Sequence, residues 1–128
     1  MMVHSVLRTA LCVAIASLPL MAFGGPAPDT DGDGVPDVLD NCSEVANAAP
    51  NNCDSDVDGY GNACDADVTN DGLNTGADIA PFIAAGPVDQ NCDGLPTGAD
   101  IAPFIATLQA AQNPGPSGLP CAGSIPCQ

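Results

Sequence analysis

Every aspartate in this 128-residue chain falls inside one of four windows of twelve residues, and each window has glycine at its sixth place. The windows run from Asp29 to Asp40, Asp54 to Asp65, Asp67 to Asp78 and Asp89 to Asp100. They hold five, four, three and three aspartates, fifteen in all, and none is left over. A single Asp-Gly signals only a turn. Four windows of one length demand more. Solvated turns in a disordered acidic chain are the competing reading, and that reading leaves the common spacing unexplained. Carboxylates at such density repel one another unless they converge on cations.

The spacing is that of the EF-hand calcium loop. In that loop positions 1, 3, 5, 9 and 12 supply side-chain oxygens, position 7 a backbone carbonyl, and glycine at 6 the sharp turn. The first loop offers Asp29, Asp31, Asp33, Val35, Asp37 and Asp40, and the second Asp54, Asp56, Asp58, Tyr60, Asn62 and Asp65. The third offers Asp67, Thr69, Asp71, Leu73, Thr75 and Asp78, and the fourth Asp89, Asn91, Asp93, Leu95, Thr97 and Asp100. Hard oxygen ligands in such number select calcium over transition metals, which favour imidazole or thiolate. About four calcium ions per chain are expected, one for each loop. Position 12 is Asp throughout, where Glu is commoner, so the chain must approach the ion more closely.

The first 24 residues predict an export signal. Arg8 precedes an apolar run from Ala10 to Phe23, broken only by Ser17 and Pro19, and Ala22-Phe23-Gly24 ends in small residues. The run is short of the roughly twenty residues a membrane span needs. Cleavage after Gly24 removes His4 and Arg8, the only His and the only cation, so the formal charge moves from −15 to −16. A chain without Lys, Arg or His has no side-chain ion pairs and little acid–base chemistry. Catalysis is not expected, because paired carboxylates alone would need a sugar cleft that Tyr60, Phe82 and Phe104 cannot line. Nucleic acid and membrane insertion are excluded as partners by the same charge.

Two kinds of loop follow one another. Only Ala66 separates the second loop from the third, and "NCSEVANAAPNNC" after Asp40 has no helical period. Residues 25–66 therefore predict a string of loops around ions with little core. Here "DTDGDGVPDVLDNC", "VAN" and "DSDVDGYGNACD" resemble the thrombospondin type 3 repeat, over roughly Asp29 to Asp67. The resemblance implies closely spaced calcium ions and disulfide staples. This chain is two residues longer than the usual repeat between Asn47 and Asp54 and carries an additional Cys53 there.

In residues 67–110 each loop runs into a helical stripe. "DGLNTGADIAPFI" and "DGLPTGADIAPFI" begin at Asp71 and Asp93 and differ at one position. Ile79, Phe82 and Ile83 recur at helical spacing, as do Ile101, Phe104, Ile105 and Leu108. Gly86-Pro87 and Asn113-Pro114-Gly115 stop the helices, and Pro81 and Pro103 require helix starts near position 12. Asp78 and Asp100 are expected to cap them. Each unit has too few apolar residues to bury alone, so the two stripes are expected to pack together. This tandem resembles a dockerin, over Asp67 to Ala110. The resemblance implies a dockerin-like α module and a cohesin-like partner, although Gly76-Ala77 and Gly98-Ala99 replace the hydroxyl side chains often read at loop positions 10 and 11.

Six cysteines remain after Cys12 is removed, which implies three disulfides and leaves fifteen connectivities open. Similarity to the thrombospondin repeats suggests Cys42–Cys64. Cys121 and Cys127 are near enough to close the Pro/Gly-rich tail, residues 111–128, on itself, which leaves Cys53 with Cys92. The whole predicts a small, mostly irregular, calcium-stabilised protein, secreted or at the cell surface. Two roles fit it: an adaptor in calcium-dependent assembly, or a calcium-rigidified spacer with no specific partner.

Overall fold

Loops built from carboxylates leave little apolar surface to bury, and among the described residues the buried apolar cluster sits where the two repeated units meet. The computed structural model describes residues 25–84 and 88–127; the expected export signal and the Gly86-Pro87 stop lie outside them. Among the described residues the regular elements are a 3-10 turn at Asp37–Leu39, helix α1 at Ile79–Ala84, a second 3-10 turn at Gly98–Asp100 and helix α2 at Ile101–Ala110. None is long and apolar enough to cross a membrane. The first 3-10 turn falls within the stretch expected to be a string of loops.

Both helices begin directly after position 12 of their loops, as the prolines require. Pro81 and Pro103 are each the third helical residue, where the missing N–H has no intrahelical partner to lose. The capping differs from expectation. Asp100 makes no side-chain cap to α2. Thr97 is the cap instead: its side chain accepts from Ala99 N, and Asp100 closes the box back onto the Thr97 amide. Thr75 repeats the pattern, accepting from Ala77 N while its own amide donates to Asp78 Oδ2 at 2.9 Å. The hydroxyl lies three residues before the aspartate and reaches the helix start without leaving its loop.

Phe82 and Phe104 stack with ring centroids 3.9 Å apart and planes 13° from parallel. With Ala66 they form the core, and Val68, Val88, Ile105 and Leu108 pack against it. The two apolar stripes thus meet, but through fewer residues than their periodicity suggests. Ile79, Ile83 and Ile101 remain 36%, 65% and 49% exposed. A helix of six residues has one side chain that can point squarely at its neighbour, and in α1 that is Phe82.

Three disulfides replace a larger core: Cys42–Cys64, Cys53–Cys92 and Cys121–Cys127. The second joins the inserted stretch to position 4 of the last loop, and polar contacts run beside it. Asn62 Nδ2 donates to Asp89 O at 2.7 Å, and Gln90 Nε2 reaches Asn62 O and Asp65 O at 2.5 and 3.1 Å. The tail folds back over the first half. Ser43 N donates to Pro116 O, Gly118 N to Asp40 O and Gly115 N to Cys64 O. Gly118 lies so close to the Asp37 carbonyl that a Cβ there would overlap it.

Candidate metal centres

All four windows fold to one frame, and the frame explains the sequence. The position 1 carboxylate accepts from the glycine amide at position 6 in each loop: Asp29 from Gly34, Asp54 from Gly59, Asp67 from Gly72 and Asp89 from Gly94. The position 5 carboxylate accepts from the amide at position 7: Asp33 from Val35, Asp58 from Tyr60, Asp71 from Leu73 and Asp93 from Leu95, at 2.8 to 3.0 Å. The glycine at position 6 has positive φ every time, 96°, 92°, 85° and 81° in loop order. Position 4 is left-handed as well, at Gly32, Val57, Asn70 and Cys92. Sequence reading missed this second turn because only one of the four residues is glycine. Val57 is the costly case, since a β-branched residue is rarely found there.

Above this frame the loops divide into two pairs. In the first pair the position 9 side chain accepts from the amide at position 2: Asp37 from Thr30 at 2.7 Å, Asn62 from Ser55 at 2.9 Å. Position 12 accepts from the amide two residues later, Asp40 from Cys42 and Asp65 from Asp67. In the second pair the position 12 carboxylate turns inward and bridges positions 3 and 9. Asp78 accepts from the amides of Thr69 and Thr75, and Asp100 from those of Asn91 and Thr97. Both aspartates are fully buried.

The first pair holds the carboxylate clusters. One oxygen from each of Asp29, Asp31 and Asp33 lies within 4.8 Å of the others, and the same is true of Asp54, Asp56 and Asp58. The second pair has Thr69 or Asn91 between its two aspartates at positions 1 and 5, so it lacks a triple carboxylate.

Unpartnered atoms test whether a cation fits. Among the described residues, Asp31 Oδ2, Asp40 Oδ2 and Asn47 Oδ1 are buried oxygens without a hydrogen-bond partner. All three belong to the first loop or its surroundings, because Asn47 donates its amide to Asp33 Oδ2 at 2.8 Å. Buried oxygens without a donor are costly unless something positive sits among them. Their chemistry matches a hard cation. Asn47 lies outside the twelve-residue window, and a loop template alone could not find it.

Electrostatics agree. Burial pushes Asp65 up to about 8, and the nearby charges of Asp58, Asp56 and Asp67 add to it. Burial followed by the Asp58 charge pushes Asp56 up to about 7. Burial likewise raises Asp40 and Asp58. Asp33 is held low by the Val35 and Asn47 amides. For Asp100 burial works upward, yet the amides of Thr97, Asn91 and Gln90 together hold it low. The two largest rises, at Asp56 and Asp65, both lie in the second loop. A divalent cation beside these carboxylates would favour their charged form against burial and the neighbouring charges.

No curated protein and no solved structure matches this chain. The family model of the Thrombospondin type 3 repeat matches residues 28–50 and 53–86. The second stretch takes in both the second and third loops and continues through α1. Such repeats and three disulfides suggest an extracellular location. Residues 28–50 and 53–86, somewhat under half of the chain, are thus similar to the thrombospondin type 3 repeat, a calcium-binding structural module.

Proposed function

We propose that the chain is a secreted, non-catalytic calcium-binding module whose tertiary order depends on the ion. The observation that carries this reading is the trio of buried, unpartnered oxygens on Asp31, Asp40 and Asn47 beside the Asp29–Asp31–Asp33 cluster. The four loops would hold about four ions, through the aspartates already named, Thr69, Asn91, Thr75 and Thr97, and the carbonyls of Val35, Tyr60, Leu73 and Leu95. In the second loop Asn62 Oδ1 would join them beside its bond from Ser55 N, while its Nδ2 holds position 1 of the fourth loop beside the second. Bound calcium supplies positive charge that the chain itself lacks. Four ions would bring −16 to −8.

The reading is tested by titration calorimetry with circular dichroism, in calcium and in chelator. Uptake of four ions with loss of helix on chelation is expected, with dissociation constants of about 10⁻⁴ to 10⁻³ M, as in extracellular modules. Two or fewer ions, or an unchanged spectrum, overturn it.

A second reading adds a partner. Two near-identical loop–helix units packed through Phe82 and Phe104, with Ile79, Ile83 and Ile101 facing solvent, favour a dockerin-like adaptor that docks on a cohesin-like protein through an apolar face. Capture from the secretome in calcium, abolished by chelator and by Ile83→Asp, supports the adaptor. Without specific capture, the module is a calcium-rigidified spacer.

A further inference from the structure

The four loops share a frame, but one of them is enclosed. Asp58 and Gly59, at positions 5 and 6 of the second loop, are buried, whereas Asp71, Gly72, Asp93 and Gly94 at the same places in the third and fourth loops are exposed. The enclosure comes from the tail. Three consecutive carbonyls of the second loop accept from it: Val57 O from Cys127 N at 2.8 Å, Asp58 O from Gly123 N at 2.7 Å and Gly59 O from Ser117 Oγ at 2.6 Å. These are positions 4, 5 and 6, the two left-handed residues and the carboxylate between them.

Packing follows the same path. A Cβ on Gly59 would come within 2.5 Å of Cys127 Sγ and 2.7 Å of Ala122 Cα, and one on Gly115 within 2.7 Å of the Tyr60 ring. The Cys121–Cys127 disulfide closes the segment that makes two of the three contacts. Val57, the residue least suited to its φ of 61°, is also the one whose carbonyl the last described residue holds.

We propose that the segment from Pro114 to Cys127 is a strap that sets the second loop in its ion-binding shape before any ion arrives. The inference rests on the calcium reading above and assigns an order within it. The second loop loads first, because its backbone is already arranged. The third and fourth loops, with exposed turns and no strap, order only as they bind. Neither stretch that matches the repeat family, 28–50 or 53–86, includes the strap.

The chain offers its own probe. Tyr60 is the sole tyrosine, there is no tryptophan, and it stands at position 7 of the strapped loop. The test compares the chain from residue 25 with two variants, Cys121→Ser/Cys127→Ser and Ser117→Ala. Amide exchange is measured in chelator, and calcium is then titrated by Tyr60 emission with calorimetry in parallel. In the native chain, amides 57–60 exchange more slowly than their counterparts 70–73. In the double variant that difference disappears, and the Tyr60 midpoint moves to about tenfold higher calcium, as expected if the competent backbone falls to about a tenth of the population. Ser117→Ala moves it the same way by less. Equal exchange at 57–60 and 70–73 in the native chain overturns the strap. So does full calcium uptake by the double variant with an unmoved midpoint. Absence of any uptake by the native chain overturns the calcium reading, and the loading order with it.

Discussion

Removing one ring of the Phe82–Phe104 stack measures how far the two repeated units are one structure. The rings are 2% and 1% exposed, and only Ala66 is buried beside them in the core. Truncating a buried Phe to Ala costs about 3–5 kcal/mol. Domains of this size are stable by about 5–15 kcal/mol, so either change removes a large share. The stack adds coupling. Aromatic pairs are typically worth about 0.5–1.5 kcal/mol beyond their buried area. Once Phe82→Ala has removed one ring, Phe104→Ala forfeits the area but no longer the pair. The double variant is therefore less destabilised than the sum of the singles, by about 1 kcal/mol. The assay is urea unfolding in saturating calcium, followed by far-ultraviolet circular dichroism on the native chain, both singles and the double. Ile83→Ala, at a residue 65% exposed, is the control and stays within about 0.5 kcal/mol of the native chain. Strict additivity of the singles, or two separate transitions in the native chain, would refute a shared core.

Asp71→Ala and Asp93→Ala each remove a carboxylate that accepts from the position 7 amide and that the proposed reading assigns to an ion. Each is expected to melt the adjoining helix and lower amide protection in the other unit, and unaltered protection there would mean that the units do not depend on each other. In the metal-free fold Asp56 and Asp65 titrate near 7 and 8, well above the ordinary 3.8, so their stabilising effect is complete below about pH 4 and is lost as pH rises through 7 to 8. Asp33 and Asp100, held low, act oppositely below about pH 4, so unfolding of the metal-free chain should be hardest near about pH 4–5, and calcium uptake at pH 7 should release protons that buffer-dependent calorimetry counts. Gly118→Ala forces the tail off the Asp37 carbonyl and should destabilise the fold by about 1–3 kcal/mol in the same urea assay, whereas Gly76→Ala, with open space at its Cβ, should cost well under 1 kcal/mol.

The loop frame was legible in the sequence because its aspartates and its glycine recur at fixed distances along the chain. The helix starts were legible for a related reason: Pro81 and Pro103 admit only the first turn. The less visible features depend on residues far apart. Nothing local marks Asn47 as a neighbour of Asp33, since fourteen residues intervene. The Ile stripe has the period of a buried face, yet whether a period-matched residue is buried depends on what packs over it, and in α1 only Phe82 meets its twin. The choice of Thr97 over Asp100 as helix cap turns on which carboxylate oxygens the loop has already claimed. The tail has no period at all, because a strap held by backbone amides and small residues needs none.

A chain with sixteen acidic and no basic side chains after residue 24 has one way to be compact: its carboxylates must be solvated by its own amides or by cations. The structure uses the amides first. Every loop spends the position 6 and position 7 N–H groups on positions 1 and 5, which fixes the carboxylates in place without neutralising them. Burial, and after it the charge of neighbouring carboxylates, raises Asp40, Asp56, Asp58 and Asp65, so without a cation these groups resist ionising. Two of the disulfides stand at the ends of these loops. Cys42 and Cys64 flank the closing aspartates of the first two loops, and Cys53–Cys92 bridges the second loop to the fourth across the Asn62 clamp. Covalent closure limits how far repulsion can spread the loops before ions arrive. With calcium bound, the ion and the cystine would divide the work of a hydrophobic core, the bond holding the loops within reach of one another and the cation making their approach favourable.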